Sequence, residues 1–297
     1  MEKKRRRLSR KKTARIRTAV QIFFFVLIAL IAVNHTLSET GSGIPIVAEA
    51  SLHAVCPFGG VVSIYQFAAA GDFVKKTHAS SFILMIIVFA LTIAVGPAFC
   101  GWICPFGSVQ EWLAKIGRRI FGKRYNSMVP ARIDGILRYL RYIVALWVLY
   151  VTALSVQLVF ADYDPYFALF NFWTGEVAVT AFIALGAVIL LSLIIERPFC
   201  KYACPYGAIL GLFNLFRIFG IRRNPVTCID CKACDRACPM NITVSTAGRV
   251  RHHQCISCLK CTSEQACPVP ATVELMTGRF IPPVSAGTST AAQEATS

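Results

Sequence analysis

Apolar residues gather along the chain into four long runs, at residues 18–37, 81–99, 143–160 and 177–195. Each is close to the roughly 20 residues that cross a bilayer as a helix, so the pattern predicts four transmembrane helices. Between the first two lies a segment of small and polar residues, 38–80, with a short interfacial helix expected over 61–70. Between the last two, the aromatic stretch 162–173 reads as an interfacial anchoring loop. After the second run, Trp112, Leu113, Ile116, Ile120 and Phe121 recur at near-helical spacing, while Lys115, Arg118 and Arg119 lie largely off that face. That pattern predicts an amphipathic helix over 108–121 lying along the membrane surface. Residues 222–281 lose the long apolar runs and read as a small polar module, and the Ala/Ser/Thr-rich stretch 282–297 is expected to be disordered.

Composition agrees with this pattern. Of 297 residues 56% are hydrophobic and 15% charged, the profile of an integral membrane protein. The charges then orient it. Ten of the 31 Lys/Arg residues precede the first run, eight lie between Cys100 and Arg141, and eleven follow Glu196. By the positive-inside rule both termini and the middle loop face the cytoplasm of a multi-pass inner-membrane protein. The first run is long for a secretory leader and no small-residue cleavage site follows it, so an uncleaved anchor is expected behind a basic arm at 1–17. Arg138 and Arg141, at the start of the third run, are expected to snorkel toward the headgroups. The net charge of +16 follows membrane depth, which points to lipid contact and away from nucleic acid.

One phrase occurs twice, FCGWICPFG at residues 99–107 and FCKYACPYG at 199–207, and each is followed by a helical stretch ending in Arg-Ile-Phe-Gly. The membrane domain, 18–221, is therefore expected to be two repeated hairpins, each delivering a Cys-x3-Cys-Pro motif to the same side.

Thirteen cysteines in a chain facing a reducing compartment favour metal over disulfide. Cys228, Cys231, Cys234 and Cys238 precede Pro239 in the C-x2-C-x2-C-x3-C-P run of bacterial ferredoxins. Cys255, Cys258, Cys261 and Cys267 precede Pro268 in a second copy, with five residues rather than three before its last cysteine. In such modules the fourth cysteine of each run serves the other cluster. Cys228, Cys231, Cys234 and Cys267 are thus expected on one 4Fe-4S cluster, and Cys255, Cys258, Cys261 and Cys238 on the other. Zinc would use two C-x2-C knuckles around one ion, which repeated triplets with a trailing Cys-Pro do not match. The fold class expected is an α-helical integral membrane protein with four transmembrane helices, followed by a small α+β two-cluster ferredoxin module at 222–281.

The pairs Cys100 with Cys104 and Cys200 with Cys204 are less specific. On a helix, positions i and i+4 share a face, so the alternatives are small apolar residues packing at a helix end or four thiolates converging on a further cluster or metal. Cys56, in HAVCPFGG, lacks a partner and reads as a packed residue. His35, His53 and His78 fall near the outer face without a haem attachment motif, and His252 and His253 read as solvated loop residues. No dinucleotide fingerprint or P-loop is present.

Taken together, the four runs, the two Cys-x3-Cys-Pro phrases and the eight ferredoxin cysteines resemble the NapH-type membrane ferredoxins over about residues 16–281. The same core is similar to the membrane part of the regulator of nitrous-oxide reductase and to an oxidase-assembly iron-sulfur protein. The resemblance implies two 4Fe-4S clusters on the eight ferredoxin cysteines. It also implies electron transfer between redox protein partners and the membrane, with quinone as a candidate donor or acceptor. An assembly, accessory or redox-sensing role is the alternative. The HAVCPFGG segment departs from the pattern and leaves open which respiratory system the chain serves.

Overall fold

The computed structural model describes residues 2–39, 79–155, 162–175 and 177–277. The expected interfacial helix, Cys56, His53, His78 and the tail lie outside the described residues. Helix α1, Glu2–Glu39, contains the first apolar run, and α2, Ala79–Val95, covers the second as far as residue 95. Gly96, at φ 89°, ends α2 and lets the chain turn sharply. A π-helical turn, Phe99–Ile103, then leads into α3, Pro105–Phe121. Proline at the first position starts α3 cleanly, because a helix leaves that N–H unpaired in any case.

Helix α4, Ala131–Leu137, runs through a turn into α5, Leu140–Ser155. The stretch 162–173 is not a plain loop. It holds α6, Pro165–Phe170, capped by the Asp164 carboxylate, which accepts the Tyr166 N–H at 3.0 Å. Phe170 is buried against Ile28 and Ala32 of α1, while Phe172 remains exposed. The indole of Trp173 donates to Thr36 at 3.0 Å. Helix α7, Val179–Ser192, is followed by α8, Pro198–Tyr202, and α9, Pro205–Phe213.

Among the described residues two helices, Thr13–Asn34 and Ala131–Thr152, are long and apolar enough to cross a membrane. Ile83–Val95 and Val179–Ser192 are shorter apolar helices. The helices of each expected hairpin do not pack chiefly on each other. Instead α3 packs on α1 and α7, while α9 packs on α2 and α5. The crossing arises at the cysteine turns, which send the helix that follows each motif across the bundle rather than back along its own span.

The C-terminal module is small. Strand β1, Gly220–Arg223, pairs antiparallel with β2, Val273–Met276, with Ile221 opposite Leu275. Its core gathers Ile221, Met240, Ile242, Val244, Val250, Ile256 and Val273 around Cys234, Cys255, Cys261 and Cys267. The Asp235 carboxylate fastens the loop beyond the first cysteine run, accepting from the N–H groups of Val244 at 2.6 Å and Ser245 at 2.8 Å.

Candidate functional site

The two Cys-x2-Cys-x2-Cys loops share a backbone design. Asp230 and Lys232 have left-handed φ of 50° and 53°, and Ser257 and Leu259, at the equivalent places, have 47° and 56°. Non-glycine residues avoid this region by about 1 kcal/mol or more each, so four at matched positions are held there by the surrounding structure. Such turns aim successive N–H groups into one concavity, a cradle for an anionic group.

Cys238, Cys255, Cys258 and Cys261 line one cavity with Pro239, Met240 and Ile256. The structure thus brings the last cysteine of the first run to the first three of the second. The Cys238 sulfur accepts the Ile242 N–H at 3.4 Å, and Cys255 accepts from the Arg217 guanidinium at 3.4 Å. Burial, then repulsion from Cys258 and Cys255, pushes the Cys238 thiol up to about 12. In the other set Cys234 and Cys267 are buried and Cys231 is exposed. Cys234 is pushed up to about 11, first by burial and then by Asp235, with Cys267 adding to it. Sulfurs crowded together in an apolar pocket hold their protons unless a cationic core takes their place, so both donor sets suit iron-sulfur clusters.

The Cys-x3-Cys-Pro motifs meet at the centre of the bundle. Cys100 and Cys204 pack around the same apolar cluster as Phe99, Tyr206 and Leu210. Gln110 of α3 reaches across the repeats, accepting the Phe199 N–H at 3.2 Å and facing the Cys200 sulfur at 3.6 Å. Burial raises all four thiols, and repulsion from Cys200 contributes at Cys104, which reaches about 12.

The C-terminal module docks directly over this meeting point. Cys100 packs against the module's core together with Cys258. Trp102 donates its indole N–H to the Ser257 carbonyl at 3.1 Å, and Ser257 donates to the Val95 carbonyl at 2.8 Å. Glycine permits this approach twice. A Cβ on Gly101 would lie 2.5 Å from the Ile256 carbonyl oxygen, and one on Gly211 would lie 2.5 Å from that of His253.

A charge network surrounds the contact. Glu111, buried in α3, pairs with Arg17 at 2.5 Å, Arg197 at 2.7 Å and Lys260 at 3.0 Å. Lys260 also pairs with Glu196 at 2.5 Å, and Glu196 with Arg118. Ion pairs thereby join the first helix, both repeats and the C-terminal module. The residues of this network were not singled out as candidates from sequence. A carboxylate at Glu111 between Gln110 and Trp112 was the available signal, and its partners lie 94 and 86 residues away at Arg17 and Arg197.

Two sequence expectations are corrected here. Arg141 does not snorkel: it is 2% exposed and donates to the His253 carbonyl at 3.0 Å. Arg138 pairs with Asp134 at 2.5 Å and donates to the Asn241 carbonyl at 3.0 Å. Nor is His253 a solvated loop residue. It stacks on Tyr142 with ring centroids 5.6 Å apart, and Nδ1 lies 2.6 Å from the tyrosine oxygen. Burial, then Arg141, lowers its pKa to about 4. Both corrections have one cause: the module covers the end of the helix pair that would otherwise meet water and headgroups. The apolar face of α3 stays outside, with Ile116 and Ile120 exposed and Gln110 and Glu111 turned inward.

A family model described as a 4Fe-4S binding domain matches twice, at residues 77–124 and 177–223. Both matches contain a Cys-x3-Cys-Pro motif. The chain is 28% identical over 242 residues to YccM of Escherichia coli, described as a candidate electron transport protein, covering 79% of this chain and 66% of that relative. It is 29% identical over 209 residues to an uncharacterized protein of Methanocaldococcus jannaschii, 70% of this chain and 82% of the relative. With the ferredoxin-type protein NapH of Haemophilus influenzae it shares 28% identity over 187 residues, 59% of this chain and 62% of NapH. No solved structure matches the chain at a significant level.

Proposed function

We propose, from the premise that this chain belongs to the NapH-type family of 4Fe-4S ferredoxins, that it relays electrons between a cytoplasmic redox partner and the membrane. The observation that carries the reading is the docking of the 255–258 loop on Cys100, which sets one ferredoxin cysteine set against the membrane-edge cysteines. The two clusters, one on Cys228, Cys231, Cys234 and Cys267 and one on Cys238, Cys255, Cys258 and Cys261, supply reversible one-electron chemistry when bound.

The chain's own residues do the rest. The exposed Cys231, with exposed Ile229 beside it, opens one end of the module to a protein partner. Arg217 and the Ile242 N–H donate to ligand sulfurs, the kind of contact that sets a cluster's potential. Ile256 and Met240 keep water from the inner set.

In this reading α2 and α7 join the two longer helices as spans. Their exposed rows, Ile83, Ile86 and Ile87 on one and Val179, Ile183 and Leu190 on the other, suit lipid better than water. Both termini and the module face the cytoplasm, and quinone or a membrane protein takes the far end of the path.

The test is anaerobic purification of the full chain, with spectra followed during dithionite and quinol titration. Clusters that reduce and reoxidise reversibly with quinol support electron transfer. Labile clusters with no quinol-linked turnover would replace it with an assembly or sensing role.

A further inference from the structure

Among the described residues four cysteine sulfurs remain that neither ferredoxin set uses. Cys100 sits on the π-helical turn and Cys200 on α8, while Cys104 and Cys204 each precede the proline that opens the next helix. Each repeat therefore supplies one cysteine from a short five-residue helix and one from the entrance of the next helix, and the crossed packing brings the two halves together. Cys100 and Cys204 share an apolar cluster, Gln110 bridges from the first repeat to Cys200, and Cys204 accepts the Gly207 N–H at 3.3 Å.

Beside them lie two buried guanidiniums. Arg197, wholly buried, donates to the Cys100 carbonyl at 2.6 Å and to Glu111. Arg141 hydrogen-bonds to His253 and Tyr142, and among the described residues no carboxylate pairs with it. The Nε of each has no hydrogen-bond partner. Arg141 stands on α5, which packs on α8, the helix that carries Cys200, and on α9, which begins just after Cys204. Glu111 answers Arg197, but a buried cation lacking a counter-charge costs several kcal/mol, so Arg141 calls for an anionic group nearby.

Spacing narrows what that group is. A single tetrahedral ion with bonds of about 2.3 Å would draw its sulfurs to within ~4 Å of one another. Among the described residues no three His, Cys, Asp or Glu side chains are gathered tightly enough to hold one ion. A cubane holds its four ligands farther apart than one ion does.

We propose that Cys100, Cys104, Cys200 and Cys204 together hold a third iron-sulfur cluster between the two repeats, with Arg141 and Arg197 as its buried counter-cations. The proposal rests on the iron-sulfur reading above and assigns each repeat half of one site. Four thiolates outweigh the positive core, so the bound group is a net anion between two cations.

The test counts metal and sulfide in the full chain, purified anaerobically in detergent. The expected result is about twelve iron atoms per chain, four for each cubane, falling to about eight in Cys100→Ser/Cys200→Ser. A wild-type count near eight would overturn the third cluster and leave the two-cluster reading standing. A count near zero would remove both. One zinc or copper per chain in place of the extra iron would also overturn the proposal. If the double variant does not yield monodisperse protein, the wild-type count alone decides. The counter-cation role has its own readout. Arg141→Gln is expected to keep about twelve iron atoms and move one reduction step to lower potential, with Arg141→Lys restoring it. Three unchanged potentials in Arg141→Gln would remove Arg141 from the assignment.

Discussion

The indole N–H of Trp102 donates to the carbonyl oxygen of Ser257 at 3.1 Å, across 155 residues of chain. Trp102 lies inside the first Cys-x3-Cys-Pro motif and Ser257 between two ferredoxin cysteines, so one bond ties two cysteine sets together. Trp102→Phe keeps most of the ring and removes the donor. The expected loss is about 1 kcal/mol of docking stability. Hydrogen exchange at residues 255–261 should rise in the variant while exchange in α5 stays unchanged.

Close backbone approach gives a sharper contrast. Gly101→Ala and Gly211→Ala would each push a methyl group to 2.5 Å from a carbonyl oxygen of the docked loop. Each should cost about 1–3 kcal/mol. At Gly186, in α7, an added Cβ meets nothing within 4 Å. Gly186→Ala should be neutral or stabilising by up to ~1 kcal/mol, because alanine favours helix. Thermal unfolding of the three variants in one detergent separates the cases.

Glu111 balances three cations. Glu111→Gln leaves Arg17, Arg197 and Lys260 with a neutral partner and should destabilise the chain by about 3–5 kcal/mol. The acid side of the stability curve checks the same network. Burial opposes the charge on Glu111, yet Arg197, Lys260 and Arg17 outweigh it and hold its carboxyl well below the ordinary range. A depressed carboxyl contributes its stability in full above the unfolded value, about 4.3, and loses it as pH falls from there toward the native value. Wild-type melting temperature should therefore drop below about pH 4.3, and the Glu111→Gln profile should be flatter there.

Arg217 reports on cluster tuning. It is buried, donates to the Cys255 sulfur at 3.4 Å and also to the Val250 carbonyl. Arg217→Gln removes a positive charge and an N–H···S contact, so the cluster on Cys238, Cys255, Cys258 and Cys261 becomes harder to reduce. A redox titration followed by electron paramagnetic resonance should show that step at lower potential with the iron content retained. An unchanged potential would mean that Arg217 only packs.

Much of this molecule is written locally. The 3.6-residue apolar rows of α1, α2, α5 and α7 need nothing beyond their own side chains, and neither does the two-residue spacing of Cys228, Cys231 and Cys234. Local spacing also tells which cysteines travel together, because a tight loop can wrap a cluster only with those gaps. What spacing cannot express is contact between distant segments. The crossing of α3 and α9, the convergence of Cys100 with Cys204, and the burial of Arg141 and His253 depend on which surfaces remain to be covered once the helices exist. Arg141 lies at the start of an apolar run, where headgroups and a docked protein are equally good partners for a cation. Tertiary packing chose the protein, because the small module must bury one face of its own core and the end of the helix bundle was the apolar surface within reach.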